Sequence, residues 1–564
     1  MIYAFGLAAF CIAWLLPGHY FPWTGFQQEL AAAIGALLIG LAATASTGQR
    51  RLKVPLIAAA AIAFAAVPML QWLAGRVPFL ADALLPSLYL AGFGMTIIAA
   101  RALAAVPDQR FAAGLFAAVL VAGLVSLGIG LGQWLQVGWL SYIEQLDRGA
   151  RVFANFTQPN HLASMFGLAV VAALWLFEMR RIGRIGISIL IIAFVFGLVM
   201  TQSRVGWLFA AVLALWWVLA RSRAGLRTTG FGIAVGLACF IAFTVAWSPI
   251  NQALDIPTAT VLSDRVQQVG GRSIHWRMLW DAVWREPCFG WGWMQVSAAQ
   301  QQVALDHPRS HEWVTYSHDL VLDLLIWNGV ILGTLVCVAL TWWIVSRCLR
   351  CRDATTWCAM AAGGVVLAHA LVEFPHAYTY FLLPLGAFLG IIEARVVAPT
   401  SEARIVNVHA AVYALGLAAL GAMTAWIAVE YGEVEDAARR ARFKEAGYVT
   451  RGDEPTVPDV VLLDNQREFI WFRLTPARPG MGEDDLERMR RVNQRFMPPA
   501  VMLRYAMAAG LNGKPEAARR NLELICHLWN RQRCEEGRES WAAAQVKYPQ
   551  LAGIQFPAAV EQNR

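Results

Sequence analysis

Residues 112–136 read Ala-Ala-Gly-Leu-Phe-Ala-Ala-Val-Leu-Val-Ala-Gly-Leu-Val-Ser-Leu-Gly-Ile-Gly-Leu-Gly-Gln-Trp-Leu-Gln, twenty-five positions without a charge. As a helix this run rises about 37 Å at 1.5 Å per residue, enough to cross a hydrocarbon core of about 30 Å, which needs roughly 20 apolar residues. Working outward, twelve more runs of comparable character lie at 2–16, 30–46, 55–74, 79–99, 160–178, 185–201, 205–220, 229–248, 319–345, 356–372, 379–396 and 407–429. The run before Pro17 has no basic segment in front and no small-residue cleavage site behind, so it reads as a retained span rather than a removed signal peptide. The expected fold is an all-α polytopic membrane protein of about 13 transmembrane helices.

Composition agrees. Of 564 residues 58% are apolar, and the mean hydropathy is +0.49, outside the range of soluble globular domains. Charge is unevenly distributed: 44 charged residues fall in positions 1–430 and 40 in the 134 that follow. This divides the chain into a membrane domain, 1–430, and a polar carboxyl-terminal domain, 431–564. Nine cysteines in this length do not make a disulfide scaffold. The formal charge of +8 gives no reason to expect nucleic acid, because Lys and Arg accumulate in cytoplasmic loops.

That bias sets the orientation. One alternating set of short loops holds Arg50, Arg51, Lys53, Arg101, Arg110, Arg180, Arg181, Arg184, Arg221, Arg223, Arg227, Arg347, Arg350, Arg352, Arg395 and Arg404; the other holds only Arg76, Arg148, Arg151 and Arg204. Sixteen against four puts the amino terminus in the cytoplasm, and an odd number of spans puts the carboxyl terminus outside. Two long segments are then extracytoplasmic, the loop 249–318 and the tail after Tyr431. The loop carries Trp276, Trp280 and Trp284 at helical spacing, a pattern that fits interfacial anchoring. The tail reads as helices, with Ala500–Trp529 as helix, Asn512-Gly513 turn, helix, similar to one unit of a helical repeat. Cys526 and Cys534 are its only cysteines, free to pair in an oxidising compartment.

Polar residues at membrane entry points are costly and therefore candidates for function. Five clusters face the outer side: Gln158-Pro159-Asn160-His161, Gln202-Ser203-Arg204, Gly271-Arg272 through Arg277, Tyr316-Ser317-His318-Asp319, and Glu373 through Tyr380. Arginine presents a permanently charged planar fork suited to phosphate, so Arg204, Arg272 and Arg277 are candidate ligands for a pyrophosphate, with solvated surface arginines as the plain alternative. Histidine exchanges protons near neutrality, which makes His318 a candidate base beside Asp319, with His161, His275, His307, His311 and His376 as competitors on the same side. No metal-binding or nucleotide-binding motif stands out, and no metal or cofactor is expected.

Three segments resemble the superfamily of bacterial O-antigen ligases, O-antigen polymerases and protein O-oligosaccharyltransferases. They are Gly271-Arg272-x3-Trp276-x10-Pro287-x2-Gly290-x-Gly292, His318-x3-Leu322-x6-Gly329, and Ser203-Arg204. Within that superfamily Phe156-Thr157-Gln158-Pro159-Asn160-His161-Leu162-Ala163, and Glu373-Phe374-Pro375 followed by Tyr378 and Tyr380, are similar to the protein O-oligosaccharyltransferase branch, the pilin-glycosylation ligase type. Many relatives carry Asn or Ser where this chain has Asp319.

The resemblance implies a bacterial inner-membrane enzyme whose active site and helical, repeat-like carboxyl-terminal domain are periplasmic. It implies en bloc transfer of an oligosaccharide from undecaprenyl pyrophosphate to Ser or Thr hydroxyls of periplasmic or pilin-like proteins. Arg204 and Arg272, with Arg277 in reserve, would hold the pyrophosphate, and His318 would orient or deprotonate the acceptor. Gln158, Asn160 or His161, and Tyr378 or Tyr380, would position donor or acceptor. The alternatives differ in acceptor: lipid A core for a ligase, a second lipid-linked repeat for a polymerase. A flippase for the same lipid would place charges deep in the spans, whereas here they cluster at span ends.

Overall fold

The computed structural model describes residues 1–46, 50–106, 108–138, 143, 146, 150–156, 158–257, 269–396, 406–448 and 454–557. Arg148, Thr157 and Arg404 lie outside the described residues, as does the side chain of Arg272. Among the described residues ten helices are long and apolar enough to cross a membrane: Phe26–Ala45, Leu56–Leu73, Leu80–Ala104, Arg110–Trp134, Pro159–Glu178, Val205–Ala224, Gly230–Ala253, Leu320–Arg350, Thr379–Val396 and Ala410–Glu445. Three shorter apolar helices, Ile2–Leu15, Arg184–Met200 and Ala354–Ala370, fall on the remaining runs. Helix is the expected choice, because in lipid every backbone N–H and C=O must find its partner inside the chain.

Four details depart from the reading of the sequence. The last run starts at Ala410 and not at 407, because Val406–His409 is a strand pairing antiparallel with Arg51–Val54, Val54 opposite Val406 and Arg51 opposite His409. Both segments alternate branched and polar side chains, the period of a ribbon. That last helix then continues unbroken to Glu445, past the expected start of the polar carboxyl-terminal domain at 431. The ninth run continues through Pro249 to Ala253, shortening the long loop. Finally, Leu320–Arg350 is kinked at Gly329, whose φ is 76°.

The described residues form two units, Met1–Ala66 with Ser87–Val266 and Ala339–Trp426, and Val67–Pro86 with Gln267–Val338 and Ile427–Arg564. In the first, Pro159–Glu178 is buried on almost every face, against Arg110–Trp134, Arg184–Met200, Val205–Ala224 and Ala354–Ala370. Gly230–Ala253, by contrast, buries only Phe240 and Asn251 among residues that are apolar all round, the character of a lipid-facing helix.

In the second unit the glycines of two sequence motifs meet. Trp291 and Gly292 donate their N–H groups to the carbonyls of Ile326 and Trp327 (2.8 and 3.2 Å), and Val330 donates to Pro287 (2.7 Å). The kink at Gly329 frees those carbonyls, and non-helical backbone of this kind survives at membrane depth only when buried in protein. A Cβ on Gly290 would stand 2.5 Å from Gly329 N, and one on Gly329 2.6 Å from Pro287 O. Gln71 seals the junction, donating to Trp327 O (2.8 Å) and accepting from Trp293 N (3.0 Å). Gly329→Ala is therefore expected to cost about 2–4 kcal/mol, steric overlap and positive φ together, visible as loss of the monodisperse peak in detergent size-exclusion chromatography.

The tail helices of this unit are Asp464–Leu474, Glu483–Arg495, Pro499–Leu511, Pro515–Leu528 and Arg531–Lys547. The expected Asn512-Gly513 turn is present, with Gly513 at φ 77°. Cys526 and Cys534 are bonded. The carboxylate of Asp464 caps the helix Leu80–Ala104 by accepting from Leu80 N and Ala81 N (2.8 and 2.9 Å). Arg495 makes a buried ion pair with Asp82 at 2.8 Å.

Candidate active site

The candidates divide between the units. In the first, Gln158 is the N-cap of Pro159–Glu178, with Pro159 at the position where a missing N–H costs nothing. Asn160, one residue into that helix, joins three loops. Its Oδ1 accepts from Arg151 Nη2 (3.0 Å) and Ser203 Oγ (2.7 Å), and its Nδ2 donates to Glu373 Oε1 (3.1 Å). Arg151 also donates through Nε to Thr201 O at 3.0 Å. Glu373 is 4% exposed, a buried carboxylate whose hydrogen bonding offsets part of its desolvation.

His161 and Tyr380 pair through Nδ1 and the phenol at 3.0 Å, and both are buried. The Tyr378 ring stands edge-on to His161 at 4.8 Å and stacks on Phe374 at 6.0 Å. Burial, reinforced by the Glu29 and Glu373 carboxylates, raises the Tyr378 phenol above its ordinary value, so it stays protonated and can donate. Burial lowers His376 to about 4, leaving it neutral at physiological pH. Gln158 Oε1 and His161 Nε2 are shielded from solvent and have no hydrogen-bond partner among the described residues. Buried polar atoms are nearly always paired, so two orphans in one motif mark where a substrate group can bind.

Arg204 is exposed and forms the N-cap of Val205–Ala224, next in sequence to the Ser203 that bonds Asn160. The structure thus gathers Gln158, Asn160, His161, Arg204, Tyr378 and Tyr380 about one helix start. Three contributors escaped the sequence reading: Glu29, which accepts from Trp23 (3.0 Å) and from Tyr89, and His369, bonded to Ser164 at 2.7 Å; Arg151 was counted only as a loop charge. For His369 the available signal was an ionisable residue inside the apolar run 356–372. Asn160→Ala would leave Glu373, Arg151 and Ser203 short of partners at once. We expect a loss of about 2 kcal/mol, read by thermal unfolding in nanodiscs, together with a fall in activity.

In the second unit His318 sits at φ 58°, immediately before the helix Leu320–Arg350. Asp319 is next in sequence. Its Oδ1 accepts from Val321 N (2.8 Å) and Leu322 N (3.0 Å), making it the helix cap. Ser317 is fixed on both sides, its N–H to Asp323 Oδ1 (2.7 Å) and its carbonyl accepting from Trp276 Nε1 (3.1 Å). Trp276 belongs to the helix Val269–Arg285, which also carries position 272 one turn earlier and the exposed Arg277. The expected helical spacing of Trp276, Trp280 and Trp284 is observed, and all three rings are exposed.

Comparison with known proteins matches three parts of the chain. Residues 152–177 match the protein glycosylation ligase family, residues 188–337 the O-antigen ligase family, and residues 357–549 the carboxyl-terminal region of virulence factor membrane-bound polymerases. The chain is 28% identical to a general O-oligosaccharyltransferase of Acinetobacter baylyi over 92% of its own length and 90% of that protein's. It is 26% identical to a ComP-specific O-oligosaccharyltransferase of the same species over 48% of its length and 49% of the relative's. The match at 152–177 covers the Gln158-Pro159-Asn160-His161 motif, and the match at 188–337 covers Arg204, Arg272, Arg277 and His318.

Proposed function

From the premise that this chain is a membrane glycosyltransferase of the O-oligosaccharyltransferase kind, related to the O-antigen ligases, we propose that it transfers a preassembled oligosaccharide from undecaprenyl pyrophosphate to Ser or Thr hydroxyls of proteins. The observation that carries the protein acceptor is the similarity, over nine-tenths of both chains, to a general O-oligosaccharyltransferase. The protein glycosylation ligase match at the Gln158–His161 knot supports it.

In the proposed reaction the acceptor oxygen bonds to the anomeric carbon as the bond from that carbon to the phosphate oxygen breaks, in one displacement with inversion. His318 takes the hydroxyl proton. Arg204 and Arg272, assisted by Arg277, neutralise the departing pyrophosphate, and stabilisation of developing charge is often the largest catalytic contribution. Gln158 Oε1 and His161 Nε2 offer unpaired positions for hydroxyls of sugar or acceptor, with Asn160 and Tyr380 holding His161's helix start and ring in place. Tyr378 supplies a protonated donor. The free energy resides in the lipid pyrophosphate, so the scheme needs no nucleotide, metal or other cofactor.

The enzyme is proposed to lie in the inner membrane, amino terminus in the cytoplasm, with its site and the domain 431–564 in the periplasm. The Arg51–Val54 ribbon with Val406–His409 ties together two loops that the charge bias assigns to one side. The tail disulfide suits an oxidising compartment.

The deciding measurement offers reconstituted enzyme a lipid-linked oligosaccharide with a periplasmic protein and a lipid A core side by side. Label on protein supports the proposal. Label on lipid A core, or longer lipid-linked chains with neither acceptor labelled, overturns it in favour of a ligase or a polymerase.

A further inference from the structure

The chain that leads into His318 is held from the tail. Ser310 and His311 both donate their N–H groups to the carbonyl of His527 (3.1 and 3.0 Å), and His311 Nδ1 donates to Trp529 O (2.9 Å). The rings of Trp313 and Trp529 lie 6.1 Å apart. The following residues are held by the long loop itself: Gln300 donates to Glu312 O and accepts from Val314 N, each at 3.0 Å, and Ser297 Oγ donates to Val314 O at 3.0 Å. With Ser317 pinned by Trp276 and Asp323, residues 310–317 form a strap fastened at both ends.

The tail fastening uses a particular resource. Residues 527–529 close the helix Pro515–Leu528, and the last carbonyls of a helix have no intrahelical partner. They point wherever the helix end points. Cys526, in the last turn of that helix, is bonded to Cys534 in the first turn of Arg531–Lys547, with Cα atoms 4.8 Å apart. The bond therefore brackets the residues whose carbonyls receive the strap.

We propose that the Cys526–Cys534 disulfide is a positioning element for transfer: it fixes the His527 and Trp529 carbonyls, and through them the strap 310–317 that presents His318. The inference rests on the reading of His318 as the base. It gives the tail a part in the chemistry that does not depend on binding anything.

The test compares full-length enzyme in nanodiscs with the double variant Cys526→Ser, Cys534→Ser, which leaves no unpaired thiol at either end of the bond. Amide exchange in peptides spanning 310–316 is expected to rise about ten-fold, while peptides from Glu483–Arg495 keep their protection and report an intact tail. The kcat for transfer should fall about five- to twenty-fold, as misplacement of a reacting group does, with the acceptor KM almost unmoved. Dithiothreitol should reproduce both effects on the parent enzyme, its two thiols closing to a cyclic disulfide as Cys526 and Cys534 gain two protons and two electrons. Trp313→Leu, with the disulfide intact, should lower kcat in the same way.

Unchanged exchange at 310–316 in the double variant would overturn the inference. So would a raised acceptor KM with kcat retained, which would make the tail an acceptor-binding domain. Full activity of a His318 variant would instead remove the base assignment, and the exchange experiment would still judge the strap.

Discussion

Replacing His318 is expected to reduce glycan transfer by about 10²–10⁴-fold, the usual contribution of a positioned general base, with the protein still folded and membrane-inserted. The choice of replacement matters because His318 occupies the left-handed region at φ 58°. Alanine there adds backbone strain of about 1–2 kcal/mol, whereas asparagine tolerates that conformation and cannot accept the proton at neutral pH. His318→Asn and His318→Ala should therefore be equally inactive, with only the alanine variant unfolding at lower temperature. Transfer from labelled lipid-linked oligosaccharide to protein, with thermal unfolding alongside, reads both. Full activity of the asparagine variant would end the base assignment. Asp319 needs a different prediction, since its carboxylate is committed to Val321 N and Leu322 N. Asp319→Asn keeps a capping oxygen and should leave kcat close to the parent value, whereas a partner that tunes His318 would move it.

Why some of this was legible and some not follows from the distance over which each signal acts. Spans are written in one window of sequence, so Arg110–Trp134 and Pro159–Glu178 could be read directly. The kink at Gly329 could not, because glycine is common in apolar helices and only the approach of Pro287–Gly292 makes this one necessary. The strand Val406–His409 is four residues long, and its partner lies some 350 positions earlier in the chain. At the candidate site residue types were informative and partnerships were not. Asn160 drew notice beside His161, but its bonds reach Glu373, 213 positions away, and Ser203, 43 away. His369 lies inside the run 356–372, and its partner, Ser164 Oγ at 2.7 Å from its Nδ1, is 205 positions away. Asp319 is the opposite case: an aspartate directly before an apolar run is a helix cap by residue type alone.

Arg204→Ala and Arg272→Ala are each expected to lower kcat by about 10²–10³-fold, the loss typical when one preorganised stabiliser of developing charge is removed. Arg277→Ala should cost about ten-fold or less, since that side chain stands exposed on the helix and is the reserve ligand in the proposed scheme. Lysine separates charge from geometry. It restores the positive charge without the planar fork that meets two phosphate oxygens at once, so Arg204→Lys and Arg272→Lys should recover only part of the loss. A role on the leaving group also makes a prediction about the product. Undecaprenyl pyrophosphate should inhibit the parent enzyme and inhibit these variants more weakly, while the KM for the acceptor protein stays within about two-fold. Loss confined to the acceptor KM, with product inhibition unchanged, would move the arginines to the acceptor side. The pyrophosphate would then need another cation, and Arg151, held by Asn160 and Thr201 beside the same helix start, would be the first to test.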